Sequence, residues 1–438
     1  NLSILKIARN KLKTLPQSIS KLSSLQEFYA SGNEFTNIDS LCKCNSLRVI
    51  HCNSNKVKGL AEEVGKLLQL EELHLNDNQL EGIPKELGDC KDLVSIYLSD
   101  NQLSEVPKEV LWVRKITLDG NYLSRVLTHM FSRSIEETAI LDISEMALDT
   151  VPSELLYLTA LESIDLSSNF LEDLTVSFVP LVALTEINLS HNQLKGLPEW
   201  FADLKLLKSL TLDFNPLGCI PDCLLRLKSL ETLNVCYCNL FSLAEESTDL
   251  ESLENLDCTG NQLISLEEVF IQSTKNLRSF VANNNSFYEL PHALFMLEHL
   301  ETFEAKNNQL ERISDAELDA DVACKNLRIV NVKNNALSEL PIWLFEQTSL
   351  VAFESGGNCN LPLYYDSLCS HILNDSDTEV TLDMSFQGLR VVPDLIRVIG
   401  KRLVRLDLCG NMLTEVPEVI TKHCESIARL NISRNKIS

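Results

Sequence analysis

The pattern L-x-x-L-x-L-x-x-N-x-L recurs along the whole chain, and no other feature restricts its fold as tightly. Leu70, Leu73, Leu75, Asn78 and Leu80 fill it, as do Leu93, Ile96, Leu98, Asn101 and Leu103, and again Leu161, Ile164, Leu166, Asn169 and Leu171. Counted by the Asn slot there are 19 copies, most of them spaced 22 to 24 residues apart; 16 carry Asn, and Met146, Cys238 and Gln387 replace it in the others. Alternating apolar residues mark a short strand with one buried face. A strand this short cannot fold alone, so each copy must stack on its neighbours in a parallel sheet. Slot nine turns inward, where an Asn amide can bond to backbone groups that the turn leaves unpaired. A ladder of stacked asparagines is expected, weakened at Met146 and Gln387.

The second half of each copy carries an apolar-Pro pair: Leu15-Pro16, Ile83-Pro84, Val106-Pro107, Val151-Pro152, Leu197-Pro198 and Ile220-Pro221 are examples. Proline fixes φ and suits the start of a helical turn. An apolar residue often follows three positions later, as in Ile19, Leu87 and Leu224. Short helices or 3₁₀ turns should therefore return the chain to the next strand.

These repeats resemble the leucine-rich repeat family over the whole chain. The proline-marked second half is similar to its intracellular, Ras-associated group, which includes Shoc-type scaffolds, the Erbin and Scribble adaptors, Roco kinases and PH-domain leucine-rich repeat phosphatases. The resemblance implies an α/β solenoid, a curved horseshoe with a parallel sheet on its concave face and short helices or 3₁₀ turns on its convex face. At about 4.8 Å per strand, 19 strands would trace an arc on the order of 90 Å. We read residues 1–438 as a single array, irregular at 122–146, 312–326 and 359–379. The two later interruptions are acidic. Asp315, Glu317, Asp319 and Asp321 lack the glycine and the twelfth-position Glu of a calcium-binding loop, and "NDSDTE" at 374–379 reads as a polar loop. The chain opens on Asn1 without a capping unit at either end, which reads as a fragment.

Charge narrows the partners. There are 62 acidic residues against 38 basic, a net charge of −24. That disfavours nucleic acid and anionic membranes, which call for a cationic surface, and favours a basic partner. No apolar run approaches the roughly 18 to 20 residues of a bilayer span, and no signal peptide is visible. No P-loop motif and no H-E-x-x-H occurs, and paired carboxylates follow from the repeat itself. The chain is therefore expected to be no enzyme and to need no cofactor.

The stretch "CKCNSLRVIHCNSN" at 42–55 gathers Cys42, Cys44, His51 and Cys52, which invites a metal reading. Register separates them. Cys44 falls in a core slot that siblings fill with Leu22, Leu67 or Leu158, and Cys52 in the inward sixth slot of its strand. His51 points the opposite way, because strand neighbours alternate, and Cys42 is expected near the convex surface. Cys90, Cys324 and Cys424 share the slot of Cys44, Cys258 shares that of Cys52, and Cys238 takes an Asn slot. Cysteines that replace buried residues behave as small hydrophobes and suit a reducing cytosol.

Slots three, five, seven and eight face the concave side, where leucine-rich repeat proteins commonly bind partners. Slot five gives Tyr29, His51, His74 and Tyr97 over four consecutive copies, an aromatic and imidazole ridge suited to a binding hot spot. Its two histidines read as solvated rather than as a shared metal site. The slots then turn acidic: Glu72, Asp77, Asp100, Asp119, Asp142, Glu145, Asp165, Glu186, Asp213 and Asp257, with Lys115 the one basic residue among them. Phe214 and Tyr237, in slot eight of successive copies, offer an apolar anchor. The expected function is a non-enzymatic interaction scaffold in cytoplasmic signalling, peripheral to a membrane at most. Its partner would be a protein with a basic or mixed surface, a small GTPase or signalling protein among the candidates. The alternatives are the regulatory arm of a larger enzyme (a Roco kinase, a PP2C-type phosphatase or an adenylyl cyclase) and an extracellular receptor.

Overall fold

The computed structural model describes residues 2–110, 113–122, 138–244, 248–313, 324–346, 349–361, 380–394 and 396–437. Most of the three expected interruptions, including the acidic stretches at 315–321 and 374–379, lies outside the described residues. The chain forms two compact units: Asn1–Leu217 with Pro221–Leu230, and Gly218–Ile220 with Glu231–Ser438.

The first unit contains ten three-residue strands in chain order: β1 (Ile4–Lys6), β2 (Glu27–Tyr29), β3 (Val49–His51), β4 (Glu72–His74), β5 (Ser95–Tyr97), β6 (Lys115–Thr117), β7 (Ile140–Asp142), β8 (Ser163–Asp165), β9 (Glu186–Asn188) and β10 (Ser209–Thr211). Each pairs in parallel with the next, residue for residue, as in Phe28 with Ile50 and Ile50 with Leu73. The middle residue of β2 to β10 is buried at 2% exposure or less, as at Phe28, Ile50, Leu73, Ile96 and Ile116, while Leu5 of β1 is half-buried. The residues on either side of the middle one are half-buried or exposed, apart from the buried Thr117 of β6. The second unit has six parallel strands, β11 (Thr232–Asn234), β12 (Asn255–Asp257), β13 (Ser279–Val281), β14 (Thr302–Glu304), β15 (Ile329–Asn331) and β16 (Ala352–Glu354). A further set of three follows, β17 (Val380–Asp383), β18 (Leu403–Asp407) and β19 (Arg429–Asn431).

The asparagine ladder forms as the pattern requires. Asn78 Nδ2 donates to Leu75 O and to Cys52 O of the preceding copy, both at 3.0 Å, and its Oδ1 accepts from Val57 N at 3.0 Å. Asn101 repeats this with Leu98, Leu75 and Leu80. The three substituted slots share a compensation that the pattern does not announce. Asn169 Oδ1 accepts from both Met146 N and Leu148 N, Asn261 Oδ1 from Cys238 N and Leu240 N, and Asn411 Oδ1 from Gln387 N and Leu389 N. The next asparagine thus takes up the backbone N–H of the substituted residue in addition to its ordinary ladder partner.

The prolines stand just before their turns. Pro16, Pro84, Pro152 and Pro198 are extended and precede the 3₁₀ helices Gln17–Lys21, Lys85–Asp89, Ser153–Tyr157 and Glu199–Asp203. Each proline carbonyl accepts the N–H three residues on, as in Ile19 N to Pro16 O at 3.0 Å and Leu87 N to Pro84 O at 3.1 Å, and that residue is buried. Proline is well placed because only its carbonyl is needed. Where Asn slots lie 24 residues apart, as between Asn261 and Asn285 or Gln387 and Asn411, an α-helix takes the place of the 3₁₀ turn, Glu268–Ser273 and Ile396–Ile399.

Cys42 corrects one expectation: it is buried at 5% exposure rather than placed near the surface. It sits in the 3₁₀ helix Asp39–Lys43 at the position that Gly65 and Gly88 take in Glu62–Lys66 and Lys85–Asp89. There each turn packs on the next; a Cβ on Gly65 would lie 2.4 Å from Glu86 O. In these neighbouring copies the position takes a small residue, and Cys42 is one of them, whereas Leu156 and Phe295 hold it in Ser153–Tyr157 and His292–Met296. Burial pushes its thiol up to about 11 and that of Cys52 to about 12. Cys44, Cys90, Cys238, Cys258, Cys324 and Cys424 are buried as their slots require.

Candidate interaction surface

Strand register places the ridge. Tyr29 pairs with His51, His51 with His74, and His74 with Tyr97. Because side chains at one register position lean the same way, the four rings stack. Centroids are 4.9 Å apart for Tyr29–His51, 3.8 Å for His51–His74 and 4.2 Å for His74–Tyr97, with interplanar angles of 27°, 14° and 12°. A cation closes each end: Lys6 Nζ lies 5.0 Å from the Tyr29 centroid and Lys115 Nζ 5.1 Å from that of Tyr97. Contacts of this kind contribute about 0.5–1 kcal/mol each at exposed sites. Sequence reasoning passed over Lys6, although it occupies slot five of the first copy, and over Glu27 in slot three. The Tyr29 hydroxyl donates to Glu27 Oε2 at 3.0 Å, and that bond raises its pKa.

Glu72 stands two residues before His74 on the same strand face, and its Oε2 lies 3.2 Å from His74 Nε2. Burial, followed by the neighbouring His74, lowers the pKa of His51. Ligand atoms of His51, Glu72 and His74 all lie within 4.8 Å of one another.

Beyond β6 the same register position passes from Thr117 to Asp142, Asp165 and Asn188. Asp142 Oδ1 accepts from Ser144 N at 3.1 Å and Ser144 Oγ at 2.8 Å. Asp165 accepts from Ser167 N and from Asn188 Nδ2, each at 2.8 Å. Asp119 accepts from Ser99 Oγ. Burial raises the pKa of Asp119 and of Asp142, and neighbouring carboxylates add to it: Asp100 and Glu145 for Asp119, Asp119 and Asp165 for Asp142. These three aspartates therefore form one electrostatic group, half-buried on the open face of the sheet. Glu186 is exposed on β9, and Asp213 is half-buried just after β10.

Asp77, Asp100 and Glu145 differ from the others. They occupy slot eight, where the chain turns with φ of 55°, 53° and 53°. Asp tolerates that left-handed conformation better than most residues, so the turn alone accounts for Asp77 and Asp100. The same slot places Phe214 at φ 56° and Tyr237 at φ 54°, each 45% exposed. Bulky residues are uncommon there, but the left-handed turn recurs in copy after copy, with His191, Phe386 and Arg434 also in it, so the repeat sets it. His191, which the sequence reading missed, occupies slot eight of the preceding copy and stacks on Phe214 at 4.2 Å and 12°. Tyr237 and Asp257 belong to the second unit, where Asp257 Oδ1 accepts from Thr259 N at 2.9 Å.

Among the described residues no helix is long and apolar enough to cross a membrane. The leucine rich repeat family profile matches residues 45–103, 136–194 and 159–217. No curated protein sequence is similar enough to count as a relative. Among solved structures, a leucine-rich repeat protein of Leptospira interrogans is 29% identical with a TM-score of 0.73, covering 84% of this chain and 93% of its own. The Toll–Spätzle complex of Drosophila gives 19% identity and a TM-score of 0.58, over 100% of this chain and 54% of that one. The TLR13–ssRNA13 complex gives 17% and 0.54, over 99% and 75%. The last two likenesses concern the fold alone. The Ras-associated group expected from the prolines is not distinguished by these matches. Repeat pattern, asparagine ladder, parallel strands and profile match agree on a leucine-rich repeat fold.

Proposed function

We propose that the chain is a non-enzymatic interaction module that presents the open sheet face of its first unit to a protein partner with a basic or mixed surface. The observation that carries this reading is the continuity of two features on one face. A four-ring stack from Tyr29 to Tyr97 runs into the carboxylates of Asp119, Asp142 and Asp165. Rigid rings supply contact area at little entropic cost, and half-buried carboxylates select and steer a cationic partner. The same charge argues against a nucleic-acid ligand. The buried thiols that replace core residues favour a cytosolic setting, and a signalling adaptor is the role that fits a scaffold there.

The test is capture of partners from an extract of the source cells, run in parallel with Asp142→Lys/Asp165→Lys and Tyr29→Ala/Tyr97→Ala variants. A partner held by the wild type, released by salt and lost from both double variants supports the reading. A partner retained equally by all three proteins places recognition elsewhere.

A further inference from the structure

We propose that His51, His74 and Glu72 form a binding site for a divalent transition-metal ion of the zinc class. The three side chains come from adjacent strands of rigid sheet rather than from a loop. His51 of β3 is the register partner of His74 of β4, and Glu72 shares the face of His74 by the two-residue period of the strand. Their ligand atoms lie within 4.8 Å of one another, the one such grouping of three among the described residues. Two imidazoles and a carboxylate suit zinc and its neighbours, and hard cations such as magnesium or calcium much less.

The distances say which group must move. Around a tetrahedral ion with bonds of about 2.0–2.1 Å, ligand atoms sit roughly 3.3 Å apart. Glu72 Oε2 and His74 Nε2 are already 3.2 Å apart, the separation of two ligands on one ion. His51 is the group that adjusts. Stacked at 14° on His74, it cannot direct an in-plane lone pair at the same point. Rotation about its Cβ–Cγ bond, away from the parallel stack, brings a ring nitrogen to the ion. Metal binding and the closed stack are thus alternative states of one ridge. The Glu72 side chain is 48% exposed, so the ion enters from solvent, and a fourth coordination position remains for water. The site does not depend on the existence of a protein partner.

The test uses the full chain carrying Cys219→Ser and Cys359→Ser, which removes the two exposed thiols among the described residues. Zinc chloride is titrated calorimetrically, and cobalt(II) is followed by optical absorption. The expected result is one ion per chain and the d–d bands of a tetrahedral nitrogen–oxygen site. His51→Ala or His74→Ala should each weaken binding by more than about 100-fold, since even outer-shell partners are worth roughly 10- to 100-fold. Glu72→Gln should weaken it less, and His191→Ala should leave it unchanged. Zinc-edge X-ray absorption of the histidine-intact protein guards against variants that fail to fold, and should show two imidazoles. No binding, binding indifferent to His51 and His74, or sulfur in the coordination shell would each overturn the proposal.

Discussion

The imidazoles of His51 and His74 lie face to face, their centroids 3.8 Å apart and their planes inclined by 14°. Twenty-three residues separate them in the chain, and only the in-register pairing of β3 with β4 brings them together. A slip of one residue would turn one ring into the core. The ridge is therefore a direct reading of register, and its energy should be measurable. Aromatic pairs contribute about 0.5–1.5 kcal/mol beyond their buried area. In a double-mutant cycle on His74 and Tyr97, whose rings are 4.2 Å apart, a coupling in that range is expected from urea denaturation. A coupling near zero would mean that the rings do not support one another.

Much of this arrangement was legible in the chain, for a physical reason. A repeat whose strand has period two states the face of each residue, so the four ridge residues and the run of carboxylates could be placed by counting. Counting does not give rotamers. It could not say that the rings stack, that Lys6 and Lys115 cap them, or that Glu72 turns toward His74. Slot eight shows the other limit. Its left-handed backbone explains Asp77 and Asp100 without any partner, and Phe214 and Tyr237 hold the same turn that the repeat imposes on His191 and Phe386. Cys42 was misplaced because its slot is set by the packing of one 3₁₀ turn on the next, a contact between copies that a single repeat does not reveal.

Asn101 tests the ladder. Its amide satisfies the carbonyls of Leu98 and Leu75 and the N–H of Leu80, each at 3.0 Å in the buried core. Alanine would strand the Leu80 N–H, at a cost of about 1–3 kcal/mol when buried and unpaired, and would take one of two amide donors from each carbonyl, since Asn121 Nδ2 still donates to Leu98 O and Asn78 Nδ2 to Leu75 O. Asn101→Ala is expected to destabilise the first unit by about 3 kcal/mol in denaturant melts. A loss below about 0.5 kcal/mol would show that the ladder is dispensable there.

Gly88 tests the packing of successive turns. A Cβ at this position would lie 2.1 Å from Glu109 O, a backbone atom that cannot move aside without shifting its turn. Gly82, six residues earlier, has nothing within 4 Å of the same ideal Cβ. Gly88→Ala should therefore cost about 1–3 kcal/mol, the usual range for overpacking, while Gly82→Ala is close to neutral. Equal melting temperatures for the two variants would contradict the contact.

Asp142 gives a pH-dependent signature. Burial, with Asp119 and Asp165 adding to it, raises its pKa above the ordinary 3.8. The folded chain then binds this proton more tightly than the unfolded chain. Its stabilising contribution is complete below the unfolded value and is lost as pH rises through the folded one. At neutral pH the carboxylate is charged and half-buried, so the group opposes folding. Asparagine keeps an Oδ1 to accept from Ser144 N and Oγ and removes the charge from beside Asp119 and Asp165. Asp142→Asn should therefore raise the melting temperature near pH 7, and the gain should shrink as pH falls toward about 3, where the wild-type side chain is also neutral. A gain that persisted unchanged at low pH would trace to packing rather than to charge, and a loss at pH 7 would mean that the carboxylate is stabilised by its serine more than burial opposes it.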